Sequence, residues 1–231
     1  MLKHAIAITG GIACGKSSVS NLLKKAGFVI ICADEIAHNV LESSAQEIID
    51  AFGERVRNVD SRLDSGAESD FATNSAPESA IESASKAPQI NRKALGEIVF
   101  ADSQKRALLE SITHPKIHAE IMRQARIQEG FGKWYFLDIP LFFESGGKAR
   151  YPAFGVLCVA SSEALQIQRL KQRNGFDTAQ AKARIAAQIS LDEKIKSSDW
   201  VIENNSTQQN LEQKVASFIS TIKPNNWDTG L

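Results

Sequence analysis

The sequence predicts an α/β protein built on a five-stranded parallel sheet with helices on both faces. Five short apolar runs recur along the chain, each too brief to be a helix, and segments with apolar residues at helical spacing lie between them. The first run passes directly into glycines that open a helical segment. Strands alternating with helices in this way form parallel sheets covered on both sides.

Taken in order, residues 5–8 read as a buried strand running into Gly10 and Gly11, and Val19, Leu22, Leu23 and Ala26 then recur at helical spacing. Residues 28–32, 134–137 and 156–160 supply the next three strands, and Val201 with Ile202 a short fifth. Helical patterns fill 108–112, 117–127, 164–173, 179–196 and 211–222. Residues 60–89 stand apart. Ser, Ala, Glu, Asp and Gly dominate them, and only Leu63, Phe71 and Ile81 offer core material. They read as a surface insertion, or alternatively as a short amphipathic helix around 78–86.

The 231 residues carry no formal net charge, so no bulk field attracts a nucleic acid or an anionic membrane, and neither is expected as a partner. No eighteen apolar residues run together, and the opening MLKHAIAITG is interrupted by Thr9 and Gly10, which predicts neither secretion nor a membrane span. Cys14, Cys32 and Cys158 stand far apart, without zinc-ligand spacing. A reducing cytoplasm is the expected location.

Gly10 to Ser17 reads G-G-I-A-C-G-K-S and matches G-x-x-x-x-G-K-[ST] at every constrained position. Chance would produce such a match in about one chain in a hundred of this length. Glycines let backbone N–H groups turn inward around phosphate oxygens, and the following helix adds its positive end. Lys16 can bridge the β- and γ-phosphates while the Ser17 hydroxyl ligates magnesium. This assigns Gly11, Ile12, Ala13, Cys14, Gly15, Lys16, Ser17 and Ser18 to ATP binding and makes the fold a P-loop nucleotide-kinase type. A GTPase would need N-K-x-D, and a transporter ATPase L-S-G-G-Q; neither occurs. Asp50 to Gly53 matches D-x-x-G only formally, because it ends an amphipathic stretch rather than a strand.

Several segments, in order, resemble the dephospho-CoA kinase family over nearly the whole chain outside the insertion. TGGIACGKSSV is similar to that family's phosphate loop, with Cys14 where a small hydroxyl residue is usual. VIICADEIAH is similar to its V-I-D-A-D-x-I-A-R, with Cys32 and His38 replacing the first aspartate and the arginine. FGERV, NRKALGEIVF and THPKI resemble segments of its helical substrate domain, DIPLFFE its D-x-P-L-L-F-E, and QIQRLKQR its lid. RIAAQ and SSDWVIENN resemble its late motifs.

The resemblance implies transfer of the ATP γ-phosphoryl group to the ribose 3′-hydroxyl of dephospho-CoA, giving CoA and ADP in the last step of coenzyme A biosynthesis. ATP and dephospho-CoA are then the partners, Mg2+ accompanies ATP, and the protein is a monomer or weak homo-oligomer. It implies a core of about 1–34, 130–162 and 198–231, a helical substrate domain of about 35–125, and a lid of about 163–190. Lys16, Asp34 and Arg169 are the expected catalytic residues, and Arg173 a further ATP contact. Asp34 follows the second strand and would deprotonate the acceptor hydroxyl; the alternative is a cap on a helix beginning at Glu35. Arg169 and Arg173 are four apart, on one helical face, which suits a phosphate clamp and equally a solvated face. Asp34, Arg92 and His114 are the substrate-binding candidates, although His114-Pro115 also reads as a plain helix start. Asp138 is either a second magnesium partner or the cap of the turn before Pro140. Cys14, beside Lys16 and a helix N-terminus, is either a thiolate or a small apolar filler.

Overall fold

The computed structural model describes residues 1–58 and 88–222. The reading of the insertion, including a helix around 78–86, therefore falls almost wholly outside the described residues.

Chain order runs β1 (Leu2–Gly10), α1 (Lys16–Lys25), β2 (Val29–Cys32), α2 (Ala33–Ser43), α3 (Ala45–Phe52), α4 (Arg92–Ala101), α5 (Ser103–Glu129) and β3 (Tyr135–Asp138). It continues through α6 (Gly147–Arg150), β4 (Ala153–Ala160), α7 (Glu163–Asn174), α8 (Thr178–Ala186), α9 (Leu191–Lys196), β5 (Trp200–Glu203) and α10 (Gln208–Ile222). The five strands form one sheet in the order β2-β3-β1-β4-β5, parallel at every pairing. Buried on both faces, β1, β3 and β4 are nearly continuous apolar runs, whereas the edge strands expose Val29 and Val201. One face is covered by α1 and α10, whose Val19, Leu23, Leu211, Val215 and Phe218 pack with Ile6, Ile8, Phe136, Leu157 and Val159.

Two compact units divide the chain: Met1–Ile36 with His118–Leu231, and Ala37–Ile117. The second has its own apolar cluster of Ala45, Ile48, Ile49, Val56, Ile90 and Leu95.

Three local expectations are corrected. The two patterns at 108–112 and 117–127 belong to one helix, α5, which runs through Pro115. A proline removes one amide donor and crowds one carbonyl, and here the bonds on either side, with buried Ile121 and Ala125 beyond, carry the helix across it. His114-Pro115 is thus mid-helix, not a helix start. Conversely, the pattern at 179–196 is two helices, because Ser190 caps α9 by accepting from the Glu193 N–H at 3.2 Å. Finally, α2 begins at Ala33, two residues earlier than expected, placing Asp34 and Glu35 in its first turn, where carboxylates complement the helix dipole.

Candidate active site

The carboxyl end of β1 turns through Gly10 to Gly15 into α1, and two glycines there are fixed by contact. A Cβ on Gly10 would lie 2.4 Å from the Val159 carbonyl oxygen of β4. Gly15, the residue capping α1, has φ of 91° and leaves only 2.2 Å between such a Cβ and Asn204 Nδ2. Ala13 also adopts a positive φ, 58°, uncommon for a residue with a side chain.

The loop's carbonyls are tethered outward. Lys194 Nζ reaches the Gly10 oxygen at 3.4 Å, the Cys14 N–H the Gly11 oxygen at 3.2 Å, and Arg169 Nη1 the Ala13 oxygen at 3.0 Å. The Cys14 oxygen accepts from Asn204 Nδ2 at 3.0 Å, and the Ser161 hydroxyl, which donates to the Asn204 oxygen at 2.7 Å, lies 3.3 Å from it. The Ile12 N–H donates to Gln188 Oε1 at 3.0 Å. Among the described residues, no hydrogen-bond partner is found for the N–H groups of Ala13, Gly15, Lys16 and Ser17. The Cys14 oxygen and the Gly15 N–H belong to one peptide, so pinning that oxygen turns the Gly15 amide the other way, and the open amides of Ala13, Lys16 and Ser17 at the start of α1 complete a set of donors suited to phosphate oxygens.

That cleft, of about 780 Å³, is lined by the whole phosphate loop, including Ser17 and Ser18, and by Asp34, Arg169, Arg173, Gln188 and Asn204. Lys16 pairs with Asp138 Oδ1, and the Ser20 hydroxyl donates to Oδ2 at 2.7 Å. Asp138 is 4 % exposed and its two oxygens meet Lys16 and Ser20, so the side chain orients the lysine instead of capping the turn at Pro140. Asp34 is exposed at the cleft, at the carboxyl end of β2.

Arg169 uses both terminal nitrogens on the loop's surroundings, with the Ser161 hydroxyl and the Asn204 carbonyl as further acceptors at 3.0 Å each. It is therefore a brace of the loop as well as a charge at the cleft. Arg173, one turn on, is exposed and donates to Asn174 Oδ1. Cys14 is fully buried, and burial pushes its thiol up despite backbone hydrogen bonds from Ser161 and Gly11 and the charges of Arg169 and Lys194. That burial favours the apolar filler over the thiolate. Lys194, fully buried as well, pairs with Glu144 Oε1 at 2.7 Å, and Glu144 also accepts the Ile189 N–H at 3.2 Å.

Arg92 lies in the unit 37–117 and binds α2: its Nε and Nη2 donate to Glu42 Oε1 at 3.1 and 2.6 Å. Its guanidinium rests against His38, Nη1 2.6 Å from Nδ1 and Nη2 2.8 Å from Nε2. A neutral imidazole accepts at one nitrogen only, so one of these approaches is a hydrogen bond and the other a contact. His114 is exposed on α5.

Ser20, Ser161, Gln188, Lys194 and Asn204 were not singled out from the sequence. For Ser161 and Asn204 a signal existed: each follows a strand, β4 or β5, at the carboxyl edge where ligands of parallel sheets collect. Gln188 ends the RIAAQ segment. Nothing in the local pattern marks Lys194, whose partners are 50 and 184 residues distant.

A phosphate loop with an open row of amides, its lysine at the start of α1 and an exposed carboxylate at the same cleft define a P-loop phosphotransferase of the small-molecule kinase class. The family model described as dephospho-CoA kinase matches residues 4–75 and 79–210. The chain belongs to the dephospho-CoA kinase family. It is 38 % identical over 221 residues to the dephospho-CoA kinase of Helicobacter hepaticus, covering 96 % of this chain and 94 % of that one. To the Campylobacter jejuni enzyme of the same name it is 34 % identical over 226 residues, 97 % and 100 % of the two chains. Among solved structures, a Thermus thermophilus protein superposes with a TM-score of 0.71 at 28 % identity, over 95 % of this chain and 98 % of that one. The dephospho-CoA kinase from Campylobacter jejuni gives 0.64 at 31 %, over 96 % and 99 %.

Proposed function

We infer that this chain transfers the γ-phosphoryl group of ATP to the ribose 3′-hydroxyl of dephospho-CoA, giving CoA and ADP. The observation that carries this is the family match across nearly the whole chain. The open amide row, Lys16 and Asp34 at one cleft supply the chemistry.

Phosphoryl transfer leaves the protein little covalent work, so positioning and charge neutralisation dominate. The amides of Ala13, Gly15, Lys16 and Ser17 would hold the phosphates, and Lys16 would neutralise charge on the transferring group. Asp34 would orient the acceptor hydroxyl and take its proton. Magnesium bound with a nucleotide needs few protein ligands, because phosphates and water fill most of its octahedron. The hard oxygen of Ser17, exposed at the cleft, fits that demand, and Asp138, already bonded to Lys16 and Ser20, would act on the ion only indirectly. When bound, the ion would add Lewis-acid neutralisation of the phosphate oxygens.

Arg173 and Arg169 would close over the phosphates as part of a lid of about 163–190, keeping water from the γ-phosphoryl group. Arg92 and His114 would contribute acceptor contacts from a helical substrate domain of about 35–125, the remaining segments forming the nucleotide core. Among the described residues no helix is long and apolar enough to cross a membrane. Water-soluble substrates and three free cysteines favour action in the cytoplasm as a monomer or weak homo-oligomer.

The test is ADP release measured with dephospho-CoA, AMP, dTMP and adenosine as acceptors. Release that depends on dephospho-CoA is expected. Equal or greater turnover with AMP or dTMP would make the chain a nucleotide kinase, and nucleotide binding without turnover on any acceptor would make it a regulator.

A further inference from the structure

Ser20 sits one helical turn beyond Lys16 on α1, is 4 % exposed, and lies between the core residues Val19 and Leu23. A hydroxyl so placed requires a partner, and it has one in Asp138 Oδ2 at 2.7 Å, while Oδ1 holds Lys16. We propose that Ser20 is a positioning residue for Lys16, acting through Asp138.

A carboxylate offers two chemically equivalent oxygens, and an ammonium facing it can settle on either or straddle both. By occupying Oδ2, the hydroxyl fixes the plane of the carboxylate and leaves Oδ1 alone to the lysine. It also draws off part of the negative charge, which loosens the hold of Asp138 on Lys16. Lys16 lines the cleft and its ammonium has three donors, so one can remain on Oδ1 while the others meet phosphate oxygens. Without the hydroxyl, Oδ2 would be a buried acceptor lacking its donor, and the ammonium is the nearest replacement. Lys16 would then be drawn toward the sheet, away from the phosphates.

The experiment is a double-mutant cycle on ATP affinity, measured by calorimetry with wild type, Ser20→Ala, Asp138→Ala and the double variant. Ser20→Ala is expected to weaken ATP binding about tenfold and to lower kcat, with KM for dephospho-CoA unchanged. In the Asp138→Ala background the same substitution should change affinity less than about twofold, because the group through which it acts is gone. Thermal unfolding of each variant separates loss of positioning from loss of fold. Should Ser20→Ala unfold, Ser20→Cys, close in volume and a weak donor, replaces it in the same cycle. Wild-type affinity in the single variant, or full additivity in the double one, would overturn the proposal.

Discussion

The phosphate-binding end of the sheet and the helical unit 37–117 use their polar groups in opposite ways. At the phosphate loop the donors left open are backbone amides, and side chains serve to pin carbonyls: Arg169, Asn204 and Lys194 all do this. In the unit 37–117 the polar residues stand on exposed helix faces and pair with one another, Arg92 with Glu42 and Lys116 with Glu47. Exposed pairs of that kind contribute little stability and exchange partners readily. The nucleotide site is thus set by the fold itself, whereas acceptor recognition would rest on replaceable side chains. Substitutions at the first should alter ATP handling whatever the acceptor, and substitutions at the second should alter the acceptor alone.

The largest effects are expected where the chemistry is placed. Lys16→Ala and Asp34→Asn should each lower kcat by about a thousandfold or more, and separate in nucleotide affinity: Lys16→Ala weakens ATP binding and Asp34→Asn leaves it intact. Near-normal turnover in Asp34→Asn would remove it as the base. A smaller but still severe loss is expected from Gly15→Ala, which adds a Cβ at positive φ against Asn204. ATP affinity should fall about a hundredfold. If only dephospho-CoA kinetics changed, the division between the two regions would fail. Arg92→Ala should raise KM for dephospho-CoA about tenfold with KM for ATP unmoved, and the reverse pattern would assign Arg92 to the nucleotide instead. The smallest effect concerns Cys14, whose thiol is buried and pushed up. Iodoacetamide at neutral pH should leave it unlabelled and the activity unchanged, as read by mass spectrometry alongside the assay. Rapid labelling would show that the loop opens in solution.

The same contrast governs what the sequence alone could reveal. Central strands are continuous apolar runs, so β1, β3 and β4 were legible from composition and length, and the phosphate loop from its fixed spacing. The helices were harder. A proline normally ends a helix, and only the surrounding packing shows that α5 passes through Pro115; Ser190 breaks what periodicity reads as one helix, because a cap depends on a single local bond. The tethers that shape the loop were the least legible, since Gln188 and Ile12 are 176 residues apart and Asn204 and Cys14 are 190. No local pattern encodes such a pairing. Asp138 was legible as a residue at the end of a strand, but not as the partner of Ser20 and Lys16.

ATP held by the loop is expected to phosphorylate one hydroxyl of one acceptor, and the identity of the product decides whether it does. Incubating the full chain with ATP, magnesium and dephospho-CoA, then following the mixture by 31P NMR and mass spectrometry, should give ADP and one new phosphomonoester on the ribose 3′-hydroxyl in equal amounts. ADP formed without any phosphorylated acceptor, or a phosphate placed elsewhere on dephospho-CoA, would rule this reaction out.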